Sequence, residues 1–130
     1  MDKRYMQLFK EIARVTAISA EQVMDYDKSK NDEKGFETAK TMRDDFENLR
    51  DKLEEPDFDG VLTKNEYAKL LVGTLIVSNN LKDKVSALHK AIEGYEKDLA
   101  PRLQKVLDES GNDEEAQEIA EKIFIIEDNN

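Results

Sequence analysis

The sequence predicts an all-α protein. Apolar residues recur at spacings of three and four along almost the whole chain, and no stretch sustains the alternation of polar and apolar residues that is typical of a strand. Turn residues cluster at only a few places. The chain of 130 residues has the size of one domain. We therefore expect a single antiparallel bundle of four to five helices over residues 1–130, with helices at about 3–27, 32–54, 63–100, 102–108 and 113–126.

The first two predicted helices are defined by their apolar faces. The first should bury Tyr5, Leu8, Phe9, Ile12, Val15, Ala20 and Val23. The second follows a polar connection at residues 28–34 and should bury Phe36, Ala39, Met42, Phe46, Leu49 and Leu53. Because Pro56 has no backbone N–H and clashes with the preceding turn, it should end the second helix near Glu54. The short connection favours antiparallel neighbours.

The third predicted helix, about 63–100, carries a heptad repeat from Tyr67 to Leu99. At 1.5 Å per residue it would be about 57 Å long, which exceeds the core of a compact domain of this size. One end should therefore project or bind a partner, and a homodimer through this long helix is a secondary hypothesis. The run Leu70 to Val77 is apolar on all sides, so we expect neighbours to pack around it.

The C-terminal part of the sequence contains a helix break and an acidic final helix. Pro101 should end or kink the third helix at about Ala100. Asn112 is an N-cap residue, and acidic residues follow it in the first turn, where the helix dipole favours negative charge: Asp113, Glu114 and Glu115. An apolar stripe predicts that this helix docks: Ala116, Ile119, Ala120, Ile123 and Phe124. A detachable acidic segment that binds a basic partner is the alternative.

Charge and composition restrict the function classes. The net charge is −10, and residues 108–130 hold nine acidic residues against the single Lys122. This charge disfavours binding to nucleic acid and to anionic lipid, since both require basic patches. The absence of cysteine excludes disulfides and thiolate chemistry. No apolar run approaches the ~20 residues of a membrane span, so we expect a cytoplasmic protein.

Residues 55–66, EPDFDGVLTKNE, have the spacing of a calcium-binding loop. Oxygen-bearing groups lie at the required intervals, and Gly60 permits the sharp turn. This segment resembles the loop of an EF-hand, a resemblance that covers roughly residues 46–71. It implies that Ca²⁺ would be held by Glu55, Asp57, Asp59, the Val61 carbonyl, Thr63 and Glu66. The same residues also predict an Asp59-Gly60 turn followed by a capping box of Thr63 and Glu66.

A second local resemblance lies at residues 12–26, which are similar to the helix-turn-helix of DNA-binding regulators. The segment that would read DNA carries Glu21, Asp25 and Asp27, which phosphate repels. We find no catalytic constellation, and His89 is the single histidine. The leading hypothesis is thus a non-enzymatic helical interaction or regulatory protein that binds another protein. A calcium-binding protein and a DNA-associated regulator are the alternatives.

Overall fold

The computed structural model describes the chain over residues 3–81 and 94–124, without the side chains of residues 80 and 81. Within those ranges all regular structure is helical, which confirms the all-α class. In the same ranges, no helix combines the length and the apolarity that crossing a bilayer requires. The described residues form five α-helices, α1 Lys3–Ser29, α2 Glu33–Glu54, α3 Lys64–Leu81, α4 Ala100–Glu109 and α5 Asp113–Ile123, and a π-helical segment, Tyr95–Leu99, that directly precedes α4.

Helices α1 and α2 form an antiparallel hairpin, and their contact is the most extensive between any two of the described elements. Their connection contains Asn31 with φ at 58°, a left-handed conformation that asparagine adopts more readily than most residues. Asp32 then caps α2, because its Oδ1 accepts a hydrogen bond of 2.9 Å from the Gly35 N–H. The second helix ends at Glu54, two residues before Pro56.

The start of α3 confirms the predicted capping box. Thr63 Oγ1 accepts a hydrogen bond from the Glu66 N–H at 3.1 Å, and Glu66 Oε1 accepts one from the Thr63 N–H at 2.9 Å. The helix then runs to Leu81. The middle of the predicted 63–100 helix, including Val85, His89 and Ile92, lies outside the described residues.

One cluster of buried residues connects α1, α2, α3, the π-helical segment, α4 and α5. The ring of Phe124, directly after α5, packs edge-on against Phe9 at 5.5 Å and against Tyr5 at 4.9 Å between centroids. Arg102 of α4 links α1 to the end of α5 beside these rings. Its Nη1 donates hydrogen bonds to the Tyr5 hydroxyl at 2.8 Å and to the Ile123 carbonyl at 2.5 Å. The acidic final helix is therefore docked, as its apolar stripe predicted.

Helix α3 is covered less completely than its sequence suggested. Leu70, Thr74 and Val77 are buried, but Val72 and Leu75 are each 46% exposed. The expectation that neighbours surround the Leu70–Val77 run on all sides was wrong. An apolar run shows that a helix tolerates burial on every side, whereas the placement of the other helices decides which sides are covered.

The backbone around Pro101 stays helical. The Ala100 N–H bonds to the Tyr95 carbonyl, five residues back, so the turn before Pro101 is wider than an α-helical turn. Because proline has no N–H to bond to the carbonyl four residues earlier and its ring crowds that carbonyl, a widened turn accommodates it. The change of helix type at Ala100 falls where the sequence predicted an end or a kink.

Gly73 lies where α3 crosses the α1–α2 hairpin, and its replacement provides a test of this packing. A Cβ there would lie 3.0 Å from side-chain atoms of Ile12, Thr16 and Phe46, all of which are buried. We expect Gly73→Ala to lower the free energy of unfolding by about 1–2 kcal/mol, because overpacking outweighs the gain in helix propensity.

Gly94→Ala is the matched control for Gly73→Ala. No described atom lies within 4 Å of a Cβ at Gly94, and its backbone is helical. This variant should be neutral or more stable by up to about 1 kcal/mol. Urea denaturation of both variants measures the difference, and a Gly73→Ala protein as stable as Gly94→Ala would show that the crossing is looser than described.

Candidate functional site

The predicted calcium ligands lie in the connection between α2 and α3. Glu55 and Asp57 are exposed. Asp59 Oδ1 accepts a hydrogen bond of 2.9 Å from the Val61 N–H, and Gly60 adopts a positive φ of 81°. Asp59 and Gly60 therefore form the turn that their sequence indicates, and glycine is suited to the left-handed conformation there.

Glu66, the predicted bidentate ligand, is engaged elsewhere. Besides its part in the capping box, its Oε1 accepts a hydrogen bond from Lys52 Nζ at 2.6 Å, and its side chain is 15% exposed. Throughout residues 3–81 and 94–124, no three His, Asp or Glu side chains converge as metal ligands would. Calcium binding at residues 55–66 stays a prediction, and it would require Glu66 to leave both Lys52 and the Thr63 N–H.

The connection is instead held against α5 by Gln117, which sequence reasoning did not single out. Gln117 Oε1 accepts hydrogen bonds from the Leu62 N–H at 3.0 Å and from the Tyr67 hydroxyl at 2.7 Å. Its Nε2 donates to the Gly60 carbonyl at 3.0 Å. Asp113 adds a bond of 2.9 Å from the Lys64 N–H. These contacts fix the connection and the start of α3 to the final helix.

The environment of Tyr67 keeps its hydroxyl protonated. Burial raises the pKa of Tyr67 above its ordinary value of 10.0, and the charges of Glu121 and Glu66 raise it further. The ring is fully buried. The phenol is therefore available as a hydrogen-bond donor to Gln117 over the whole neutral pH range, and the Gln117 contacts form a structural clamp rather than a titrating site.

A large groove lies at the other end of the α1–α2 hairpin. It encloses a volume of about 1220 Å³ between the second half of α1, the first half of α2 and the end of α3. Its walls are mainly apolar, and they include Val15, Ile18, Val23, Met42 and Ile76. Four buried residues near it lie outside the main core cluster: Ala20, Met24, Ala39 and Val77. The main core therefore does not extend into this end of the hairpin.

The rim of the groove exposes large apolar side chains. Ile18 is 44% exposed, Val23 49% and Tyr26 62%. The sequence placed Val23 on the buried face of the first helix together with Ala20, and the structure corrects this for Val23 alone: α1 buries Ala20 as predicted, and Met24 instead of Val23. The sequence signal for the groove was that α1 has more apolar residues than one buried face needs. One stripe of them packs in the hairpin, and a second stripe, with Ile18 and Val23, lines the groove.

One end of the groove carries charged residues of both signs. Gly35 has little space around it, because a Cβ there would lie 2.6 Å from Asp27 Oδ2 and 2.6 Å from Asp32 Oδ2. The two Oδ2 atoms therefore lie at most twice 2.6 Å apart. Both residues line the groove together with Lys34. Beside them, Lys30 Nζ lies 5.8 Å from the centroid of the Tyr26 ring.

Residues 12–26, which resemble a helix-turn-helix, lie inside the uninterrupted helix α1. A helix-turn-helix needs a turn between its two helices. Because α1 continues through Ser19, the segment lacks that turn, and the DNA-binding interpretation loses its structural basis here. The small residues of the segment serve the hairpin instead, since Ala13, Ala17 and Ala20 are buried.

Comparisons with known proteins give no further information on the site. Neither a protein-family model, nor a curated protein, nor a solved structure matches this chain. The inference about function therefore depends on the geometry of the groove and of the 55–66 connection.

Proposed function

We propose that this chain is a non-enzymatic interaction protein that binds a helix of another protein in the groove between α1, α2 and α3. The observation that carries the proposal is the apolar groove of about 1220 Å³ with half-exposed Ile18 and Val23 at its rim. Exposed apolar side chains that adjoin one another mark interaction sites more often than scattered ones do.

The dimensions of the groove favour a helix over a small molecule. Small-molecule pockets enclose roughly 300–1,000 Å³ and bury most of the ligand surface. This groove is larger, and Tyr26 at its edge is 62% exposed. An amphipathic helix presents apolar side chains at positions i, i+3, i+4 and i+7, and laying that face into a groove between helices is a common mode of peptide recognition.

A defined peptide tests this function. The probe is a fluorescently labelled helical peptide of about 18 residues with leucine at the four anchor positions and glutamine elsewhere. We expect saturable binding, measured by fluorescence anisotropy. Val23→Asp should weaken it at least about tenfold, because the new carboxylate would have to be buried against the leucine face without a partner.

Val72→Asp is the control for Val23→Asp. Val72 is 46% exposed, close to the 49% of Val23, but it does not line the groove. This variant should bind the peptide as the unchanged protein does. The proposal fails if the unchanged protein does not bind the peptide, or if both substitutions weaken binding equally.

A further inference from the structure

We propose that Asp59 and Gly60 form a site of spontaneous covalent modification, at which the backbone isomerises from aspartate to isoaspartate through a succinimide ring. The chain has no other Asp-Gly pair and no Asn-Gly pair. The ring closes when the backbone nitrogen of the following residue attacks the aspartate side chain. A glycine at that position leaves its nitrogen open to react, and no described atom lies within 4 Å of where a Cβ of Gly60 would be.

The turn holds the reacting groups close together. Asp59 Oδ1 accepts the hydrogen bond of 2.9 Å from the Val61 N–H, and Gly60 lies between the donor and the acceptor. This bond therefore keeps the Asp59 carboxyl group folded back beside the Gly60 nitrogen, and such an arrangement of reacting groups lowers a barrier. Among the residues that the structure describes, none accepts a hydrogen bond from the Gly60 N–H. The nitrogen is thus free to attack, and water can reach the exposed Asp59.

The reaction needs no reagent other than water. The Gly60 nitrogen bonds to Cγ of the protonated Asp59 carboxyl group, the bond from Cγ to the hydroxyl breaks, and the hydroxyl leaves with the amide proton as water. A second water then opens the ring. If it attacks the main-chain carbonyl carbon of Asp59, the bond from that carbon to the Gly60 nitrogen breaks. The product is isoaspartate, which has a free α-carboxylate and a backbone that runs through Cβ and Cγ.

Isomerisation changes the connection directly before the residues that Gln117 holds. The backbone gains one carbon atom, and Cγ of Asp59 becomes a backbone carbonyl that can no longer close the turn with the Val61 N–H. Gln117 bonds to the Gly60 carbonyl and to the Leu62 N–H, each at 3.0 Å. Because Leu62 is fully buried, the connection cannot slide to absorb the extra atom. The modification should therefore weaken the contacts between the connection and α5.

Incubation of the full chain at neutral pH and physiological temperature tests the site. Isoaspartate is measured by labelling with a protein isoaspartyl methyltransferase and located by tandem mass spectrometry. We expect label at residue 59 that increases with time. Asp59→Glu should remove it, because a six-membered ring closes far more slowly. Asp59→Asn should form isoaspartate faster, since ammonia leaves more readily. The control Asp57→Glu alters another exposed residue of the connection and should leave the label unchanged.

A free peptide of residues 55–66 shows whether the fold permits the reaction. Label in the peptide but not in the folded protein would overturn the proposal, because it would show that the turn prevents ring closure. Label that survives Asp59→Glu would also overturn it.

The Tm of the isomerised form tests the effect on the Gln117 contacts. The isomerised protein, separated by ion-exchange chromatography, should have a lower Tm than the unmodified protein. In a Gln117→Leu background, where these contacts are already absent, isomerisation should lower the Tm by less. Equal losses in both backgrounds would overturn the link between the modification and Gln117.

Discussion

Replacement of Phe124 by alanine should lower the free energy of unfolding by about 3–5 kcal/mol, the range for truncating a buried aromatic residue. Phe124 is 1% exposed, and its ring contacts both Tyr5 and Phe9 edge-on. The substitution removes this aromatic packing and leaves a cavity between α1 and the end of α5. Typical domains are stable by only about 5–15 kcal/mol, so the variant should show a large fall in Tm by circular dichroism.

Glu118→Ala provides the control for Phe124→Ala, because Glu118 is an exposed residue of α5, the helix that ends directly before Phe124. Its stability should stay within about 0.5 kcal/mol of the unchanged protein. Hydrogen exchange of α5 adds a second readout, since weakened docking should accelerate exchange there first. A loss below about 1 kcal/mol in Phe124→Ala would show that the final helix contributes little to the core, and it would revive the detachable-segment alternative.

The second large effect should come from Gln117→Leu, which we expect to cost about 3 kcal/mol. Leucine has no polar atoms, so the Leu62 N–H, the Tyr67 hydroxyl and the Gly60 carbonyl all lose a partner. A buried polar group without a hydrogen bond costs about 1–3 kcal/mol. The Gly60 carbonyl is only partly buried, so it can replace the lost hydrogen bond with one from water. Urea denaturation measures the change.

Two further variants make the Gln117 prediction specific. Gln104→Leu is the same substitution at an exposed site of α4, where the amide donates a hydrogen bond to Asp108, and it should change stability by less than about 0.5 kcal/mol. Tyr67→Phe alone should cost about 1 kcal/mol. In the Gln117→Leu background it should cost nothing or restore stability, because it removes a hydroxyl that has lost its partner. Additive losses would contradict the clamp.

Local chemistry explains why several features of the fold could be predicted from sequence. A capping box needs only Thr63 and Glu66 at the right spacing, and both side chains make the expected bonds. Asn112 likewise accepts a hydrogen bond from the Glu115 N–H at 2.9 Å. The apolar stripe of α5 predicted its docking, because such a stripe is seldom left in water. These interactions depend on residues that are close in sequence.

Features that depend on how helices are placed could not be predicted in this way. Val23 and Met24 are both apolar, and only the position of α2 determines that Met24 is buried while Val23 lies at the rim of the groove. In the sequence, nothing distinguishes Gln117 from the other polar residues of an acidic helix. In the structure it contacts the connection between α2 and α3, which lies more than fifty residues away. The groove itself is formed by three helices, so no single segment contains its signature.

The contact of Phe124 with Tyr5 and Phe9 has a consequence for how the protein is made. The hairpin of α1 and α2 joins neighbours along the chain and can form early during synthesis, whereas the aromatic contact connects residues that are far apart in the sequence. Closing so long a loop costs entropy before any packing is gained. On the ribosome, the rings of Tyr5 and Phe9 therefore lack this partner until residue 124 has left the exit tunnel, and until then the nascent chain exposes an aromatic surface that favours aggregation.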